Sequence, residues 1–109
     1  MSQTEVQVIK LSGIINSDTS HELRQRLAEL IEKSPRIVLV DFKDVTFMDS
    51  SGLGALVLAF KTLRAANSKL VLCSINEQVR ILFELTSMDK VFEIFSSQDD
   101  FYQTVLSKA

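Results

Sequence analysis

Cysteine and histidine are nearly absent from this chain of 109 residues, which contains one of each. A single cysteine cannot form a disulfide within the chain, and one histidine leaves no metal cluster of the usual kind. Cys73 lies in the apolar run "LVLCSI" and is expected to be a small buried residue. His21 falls on the polar side of a predicted helix, where we expect it to face solvent. Neither residue indicates a metal site or a catalytic group.

Long apolar runs and an excess of one charge are also lacking. The longest apolar run covers only residues 55–60, which is far too short to span a bilayer. The opening "MSQTEVQVIK" lacks the basic start and apolar block of a signal peptide. Twelve basic residues are scattered among fourteen acidic ones, so there is no electrostatic footprint for nucleic acid. We therefore expect a cytoplasmic protein that binds neither nucleic acid nor membrane, with a monomer as the default state.

Glycine is scarce, with three residues, and the motifs of common nucleotide sites and hydrolases are missing. The "GLG" at residues 52–54 lacks the third glycine of a dinucleotide fingerprint, and no P-loop Gly-Lys-Ser/Thr follows it. "MDSSG" does not match the Gly-x-Ser-x-Gly nucleophile elbow, and no triad base accompanies Ser50 or Ser51. The sequence thus predicts a protein that is not an enzyme and that holds no metal or cofactor.

The hydrophobic pattern of the first half alternates between strand and helix. Residues 5–12 alternate as a strand that Gly13 ends. The next segment has the stripe of an amphipathic helix, with Thr19 and Glu22 at capping-box spacing. Pro35 separates that helix from "RIVLVDF", which is typical of a central buried strand. The predicted stripe consists of Leu23, Leu27, Leu30 and Ile31.

The second half continues this alternation. A helix over residues 52–66 is followed by the strand-like "KLVLCSI" and by a helix with Asn76 as candidate cap. The short strand "KVFEIF" comes next, and the last helix has Ser97 and Asp100 at capping-box spacing. Strand–helix alternation predicts an α/β fold with helices covering a parallel or mixed sheet, and the length suits one domain over residues 1–109. The inward-facing residues of the last two helices are expected to be Val79, Leu82, Phe83, Phe101, Val105 and Leu106.

The segment "FMDSSGLGAL" at residues 47–56 lies where a strand end meets a helix start, a common place for function in open α/β sheets. A helix start leaves backbone N–H groups unpaired and carries partial positive charge. Asp49 or Ser50 could therefore simply cap the helix, with Gly52 easing the turn. Alternatively, a phosphate on a hydroxyl here would meet those N–H groups and add roughly −1.5 to −2 charges. A partner docked nearby, where Asp41, Asp44 and Asp49 are expected to be acidic neighbours, would then be repelled.

The helix after this turn has two apolar faces. Helical spacing places one set of large residues toward the core, namely Leu53, Leu56, Val57, Phe60 and Leu63. The opposite face is small and weakly polar, with Gly54, Ala55, Leu58, Ala59, Thr62, Ala65 and Ala66. This second face is either an exposed docking surface for a protein or is covered by another layer of core.

The stretch "VDFKDVTFMDSSGLGALV" resembles the signature of the STAS domain, in particular the stand-alone anti-sigma factor antagonists of bacteria. "LSGIINSDTSHELRQRL" and "SINEQVRILFELTSMDKVFEIFSSQDD" extend this resemblance over nearly the whole chain. The resemblance implies a mixed sheet of four to five strands flanked by about four helices, and no catalysis by this chain. It also implies that Ser50 is the phosphoacceptor, with Ser51 as the alternative, and that Asn16, Asp49 and Gly52 surround the site.

In such proteins the unphosphorylated form binds an anti-sigma factor with a histidine-kinase-like ATP fold, and sigma factor is released. The same partner then phosphorylates the serine with its own ATP and Mg²⁺, the complex dissociates, and a metal-dependent serine phosphatase resets the switch. The face with Gly54, Ala55, Leu58, Ala59 and Thr62 would contact the partner. One departure concerns the usual Gly-x-Leu-Asp after the first strand, which is Gly13-Ile14-Ile15-Asn16 here. The amide removes a negative charge if it lies near the serine.

Two other functions remain open from the residues. The chain could be an adaptor module of a larger signalling or transporter assembly, with no phosphate on Ser50. It could also bind a small ligand or nucleotide at the same helix start.

Overall fold

The computed structural model describes residues 6–106 of the chain, with side chains described through Val105. Strands and helices alternate along it, as the hydrophobic pattern predicts. The elements are β1 (Val6–Ile15), α1 (Ser20–Ile31), β2 (Ile37–Met48), α2 (Ser50–Ala65), β3 (Lys69–Cys73), α3 (Glu77–Leu85), a 3₁₀ turn (Met88–Lys90), β4 (Glu93–Phe95) and α4 (Gln98–Leu106). Glu5 and the side chain of Leu106, which the sequence placed in a strand and in the core, lie outside the described residues.

The four strands form one sheet in the order β1-β2-β3-β4. All three strand pairings within residues 6–106 are parallel. The resemblance implied a mixed sheet, and this part of the sheet contains no antiparallel pair. Each connection between neighbouring strands contains a helix, and a helical crossover returns the chain in the same direction. The carboxyl ends of the strands therefore gather at one edge of the sheet.

Two clusters of buried side chains lie on opposite faces of the sheet. The larger cluster contains buried residues of α1, α2 and α3, including Leu23, Leu56 and Phe83. The smaller cluster joins α4 to the other face through Phe101, and it includes Cys73. Burial raises the pKa of the Cys73 thiol to about 11, which agrees with its predicted role as a buried small residue. The predicted core residues of α2 and α3 belong to or pack against the larger cluster.

Strand β1 does not end at Gly13, as the sequence suggested. It continues to Ile15, and its register against β2 shifts between Lys10 and Ser12 and again between Gly13 and Ile14. Gly13 has a φ of +72°, a left-handed conformation that glycine adopts without a steric penalty. The glycine therefore allows an irregular strand to continue.

The starts of α1, α3 and α4 confirm two of the three caps predicted for these helices. Asn76 accepts a hydrogen bond from Val79 N at 2.9 Å, and Ser97 Oγ accepts one from Asp100 N at 3.0 Å. The capping box at Thr19 is wrong, because that side chain makes no cap hydrogen bond to α1. The Thr19 hydroxyl instead donates to Ile14 O at 2.8 Å, which ties the loop to the end of β1.

Candidate functional site at the start of helix α2

Asp49 is the residue that caps α2. Its backbone is extended, with φ −108° and ψ −171°, and its side chain accepts a hydrogen bond from Ser51 N at 2.9 Å. The helix begins at Ser50, two residues before the predicted start, because the cap lies before both serines. The two capping alternatives of the sequence analysis are thereby decided in favour of Asp49.

Ser50 occupies the first helical position and its side chain is exposed. Among the described residues, no hydrogen-bond partner is found for its hydroxyl. Ser51 is half-buried, and its backbone N–H is already used by the cap. The hydroxyl of Ser50 is therefore free for a reaction or a contact, and the fold does not require it for capping.

Gly52 is buried where α2 presses against the ends of β1 and β2. A Cβ atom at this position would lie 2.6 Å from Ile15 Cγ2 and 2.7 Å from Met48 Cγ, which is too close for real atoms. The glycine is needed for this close approach, since positive φ among the glycines occurs only at Gly13 within the described residues. The close contact holds the first turn of α2 in a fixed position on the sheet.

Backbone and side-chain hydrogen bonds reinforce that position. Asp49 N donates to Ile15 O at 3.0 Å, which links the cap to the end of β1. On the other side, β3 pairs only with residues 37–41 of β2, so the last part of β2 has no strand neighbour there. Side chains from the start of α3 take that place, because Gln78 bonds to both Met48 N and Met48 O, and Asn76 Nδ2 donates to Val45 O at 3.0 Å. The sequence pattern predicted Asn76 only as a cap, and no sequence signal pointed to Gln78.

Asn16 forms the turn that follows β1. Its side-chain oxygen accepts hydrogen bonds from Asp18 N at 2.9 Å and Thr19 N at 3.3 Å, a pattern typical of Asx turns. A carboxylate could accept both of these bonds. Asn16 directly follows Ile15, whose carbonyl bonds to the α2 cap. The replaced acid of the family motif therefore lies in the turn beside the cap.

Helix α1 covers one part of the predicted partner-binding face of α2 and leaves the other part exposed. Leu58 and Thr62 are exposed and Gly54 is half-exposed, whereas Ala55 and Ala59 are buried. The two alanines are core residues, so at these positions the face is covered by another layer of core, which is the second of the two alternatives that the sequence left open. All but Gly54 line a groove of about 210 Å³ between α1 and α2. Small alanines on α2 let the two helices approach closely.

The acidic surroundings expected for the site are also only partly present. Asp44 is exposed and Asp49 forms the cap, but Asp41 is buried. The carboxylate of Asp41 accepts hydrogen bonds from Gln98 Nε2 at 2.7 Å and from Lys43 N at 2.9 Å. Asp41 therefore joins β2 to the start of α4 and does not contribute to the surface around Ser50.

Neither a metal-holding cluster nor a membrane-spanning helix occurs within residues 6–106. No group of three or more histidine, cysteine, aspartate or glutamate side chains is arranged to hold a metal ion. None of the helices in this part of the chain combines the length and the hydropathy that crossing a membrane requires. His21 is exposed on α1, as predicted.

The parallel sheet, its covering helices and the serine-rich helix start define a small α/β domain with its distinctive segment at one sheet edge. The chain belongs to the STAS domain family, which it matches over residues 2–101. It is 35% identical over 86 residues to the anti-sigma-B factor antagonist of Listeria monocytogenes, covering 79% of this chain and 75% of that protein. It is 29% identical over 98 residues to the anti-sigma-B factor antagonist of Bacillus subtilis, covering 90% and 88%.

A solved structure supports the same assignment. The crystal structure of an anti-sigma factor antagonist from Mycobacterium paratuberculosis has a TM-score of 0.85 and 26% sequence identity to this chain. The match covers 96% of this chain and 89% of that one. The resemblance found in the sequence is confirmed at the level of both family and fold.

Proposed function

We propose that this protein is an anti-sigma factor antagonist whose binding is switched by phosphorylation of Ser50. The observation that carries the proposal is the division of roles at the start of α2, where Asp49 caps the helix and the hydroxyl of the exposed Ser50 has no described partner. Modification of Ser50 then removes no hydrogen bond from the cap. The names of the relatives from Listeria monocytogenes and Bacillus subtilis support the functional class.

The partner is an anti-sigma factor that is also a serine kinase with a histidine-kinase-like ATP fold. It binds unphosphorylated Ser50 and thereby releases its sigma factor. In the transfer step, the Ser50 oxygen forms a bond to the γ-phosphorus of ATP as the bond to the β–γ bridging oxygen breaks. ADP leaves, and the serine proton passes to a base of the kinase. The kinase holds ATP and Mg²⁺, and this chain supplies only the hydroxyl, in the cytoplasm and without a cofactor of its own.

The phosphate changes binding more than it changes folding. At the first position of α2 it lies beside unpaired backbone N–H groups and the positive end of the helix dipole. It also brings roughly −1.5 to −2 charges beside the carboxylate of Asp49, which caps the same helix. A partner that covers Ser50 must then bury or face this charge, and the complex dissociates. A serine phosphatase restores the free hydroxyl.

The surface of α2 next to Ser50 forms part of the partner contact. Leu58 and Thr62 are exposed along it, and Gly54 lies one turn from the serine. Ala55 and Ala59 act indirectly, because they set how closely α1 approaches α2. Asn16 acts on the other side of the cap by shaping the turn after β1.

The test is intact-mass measurement and site mapping of the protein from its native cells, with and without phosphatase treatment. We expect one phosphatase-sensitive phosphate on Ser50, which Ser50→Ala abolishes and the matched Ser51→Ala retains. A phosphate on Ser51 alone would move the switch by one residue. Unmodified protein under all growth conditions would favour an adaptor module. Heat from nucleotides or phosphoanions in calorimetry with the purified protein would instead favour a ligand-binding module.

A further inference from the structure

Two large apolar side chains lie exposed next to each other at the sheet edge that carries the switch. Ile14 of β1 and Phe47 of β2 are partners in the parallel register, and their relative exposures are 54% and 42%. Their neighbours Ile15 and Met48 are buried in the larger core cluster. Because successive side chains of a strand point to opposite faces, Ile14 and Phe47 point to the face that α4 covers elsewhere.

The packing of α4 explains why this pair is left open. The buried cluster under α4 involves Leu39 of β2 and Val71 and Cys73 of β3. In the parallel register Val71 pairs with Leu39 and Cys73 with Asp41, so this cluster ends well before Met48, the last residue of β2. Strand β2 extends beyond its pairing with β3, which ends at Asp41. The last residues of β1 and β2 therefore project past the layer formed by α4, and they carry apolar side chains instead of the polar ones usual at an exposed sheet end.

The pair is closely connected to the serine. Phe47 precedes Ser50 by three residues, and Ile14 is followed by Ile15, whose carbonyl accepts the hydrogen bond from Asp49 N at 3.0 Å. By comparison, Leu58 lies eight residues along α2 from Ser50, a rise of about 12 Å at 1.5 Å per residue. Of these three exposed apolar side chains, Ile14 and Phe47 have the shorter covalent or hydrogen-bonded connections to Ser50, and Leu58 has the longest.

We propose that the Ile14–Phe47 pair is the apolar contact through which the kinase of Ser50 docks. This inference rests on the proposed function. A kinase must bring its γ-phosphate to within about 3–3.5 Å of the serine oxygen, so its surface covers the residues around Ser50. Burying two large apolar side chains stabilises such a complex.

The charges around the pair narrow the chemistry of the partner surface. The acids nearest to the pair along the chain are Asp18, exposed in the turn after β1, and Asp49, which caps α2; farther back on β2, the exposed Asp44 is preceded by the exposed Lys43. An apolar side chain flanked by lysine or arginine on the kinase complements this arrangement. The same acids add to the repulsion once Ser50 carries phosphate. The apolar pair thus provides affinity, and the serine provides the switch.

The experiment replaces Ile14 and Phe47 together by threonine in native cells and measures the phosphorylated fraction of Ser50 by mass spectrometry. Threonine favours strands, so the fold is expected to be retained, and a thermal melt of the purified protein checks this. The matched control replaces Val8 and Val91 by threonine, because these side chains have similar exposures of 36% and 42%. A third variant with leucine at positions 14 and 47 keeps the apolar contact.

We expect the threonine pair to lower the phosphorylated fraction roughly fivefold or more, with the control and the leucine variant close to wild type. Equal phosphorylation of wild type and a folded Ile14→Thr/Phe47→Thr protein would overturn the docking role alone. The same holds if the leucine variant loses phosphate as fully as the threonine one. Wild type without any phosphate on Ser50 would overturn the proposed function, and the docking role with it. If the double variant melts far below wild type, the single Ile14→Thr variant is judged by the same criteria.

Discussion

Gln78 of α3 holds the backbone of Met48 in both directions, accepting from Met48 N at 2.9 Å and donating to Met48 O at 2.8 Å. Met48 is the last residue of β2 and immediately precedes the α2 cap. An amide side chain can make both bonds because it carries a donor and an acceptor. Gln78 thus replaces a neighbouring strand at the point where the sheet leads into the candidate site at the start of α2.

Removing this amide should destabilise the fold. Gln78→Ala leaves the N–H and C=O of Met48 without their partner, and each unsatisfied buried group costs about 1–3 kcal/mol. We expect a loss of about 2 kcal/mol in the free energy of unfolding, measured by urea denaturation. Gln25→Ala, at an exposed position of α1, is the control and should change stability little. Equal stability of the two variants would contradict the role of Gln78.

The two residues at the start of α2 should respond differently to alanine. Asp49→Ala removes the cap and is expected to cost about 0.5–2 kcal/mol, while Ser50→Ala should leave the thermal melt nearly unchanged. Asp49→Asn keeps an acceptor and should restore most of the stability. A Ser50→Ala protein as unstable as Asp49→Ala would assign the cap to the serine and remove the main support for the switch.

The two glycines of α2 form a matched pair for substitution. Gly52→Ala places a methyl group within 2.6–2.9 Å of atoms of Ile15 and Met48, and such overpacking typically costs about 1–3 kcal/mol. Gly54→Ala meets only Arg24 at 3.6 Å, so the higher helix propensity of alanine should stabilise by up to about 1 kcal/mol. Chemical denaturation of both variants checks this. If both substitutions changed the free energy of unfolding in the same direction, close packing would not be the reason for glycine at position 52.

Because the Cys73 thiol is buried, its ionisation should lower the stability of the protein in alkaline solution. Its pKa is raised from 9.0 to about 11, chiefly by loss of solvent, and the nearby Asp41 adds to the shift. A raised pKa means that the folded state keeps its proton longer than the unfolded state. The contribution of the protonated Cys73 thiol to the free energy of unfolding is therefore complete below pH 9 and is lost as the pH rises through 11.

Two measurements address this behaviour. The free energy of unfolding should fall between pH 9 and 11 more steeply for wild type than for Cys73→Val, which cannot ionise. At pH 8, a thiol reagent should modify Cys73 only as fast as the protein unfolds. Rapid modification of the folded protein would mean that the thiol is accessible.

Periodicity was sufficient to predict the order of strands and helices and most of the core, including Phe83 and Phe101. The Asp-Ser-Ser-Gly segment was located for a physical reason too, because an apolar strand followed by polar residues and an apolar helix places it at a sheet edge. The capping box at Thr19 failed because its hydroxyl accepts a hydrogen bond from Asn16 N at 2.8 Å and donates one to Ile14 O at 2.8 Å, both at the end of β1. Local spacing could not include a partner contributed by a neighbouring strand.

The sequence by itself determined the α/β alternation, the family, and the presence of a hydroxyl at the start of the second helix, since these depend on residues close together in the chain. Only the tertiary structure decided which residue caps that helix, that Gly52 serves close packing, and that Ala55 and Ala59 are buried against α1. It also decided that Ile14 and Phe47 lie together at the surface. Each of these depends on contacts between distant segments, whose register and approach are set by the packing of the whole sheet.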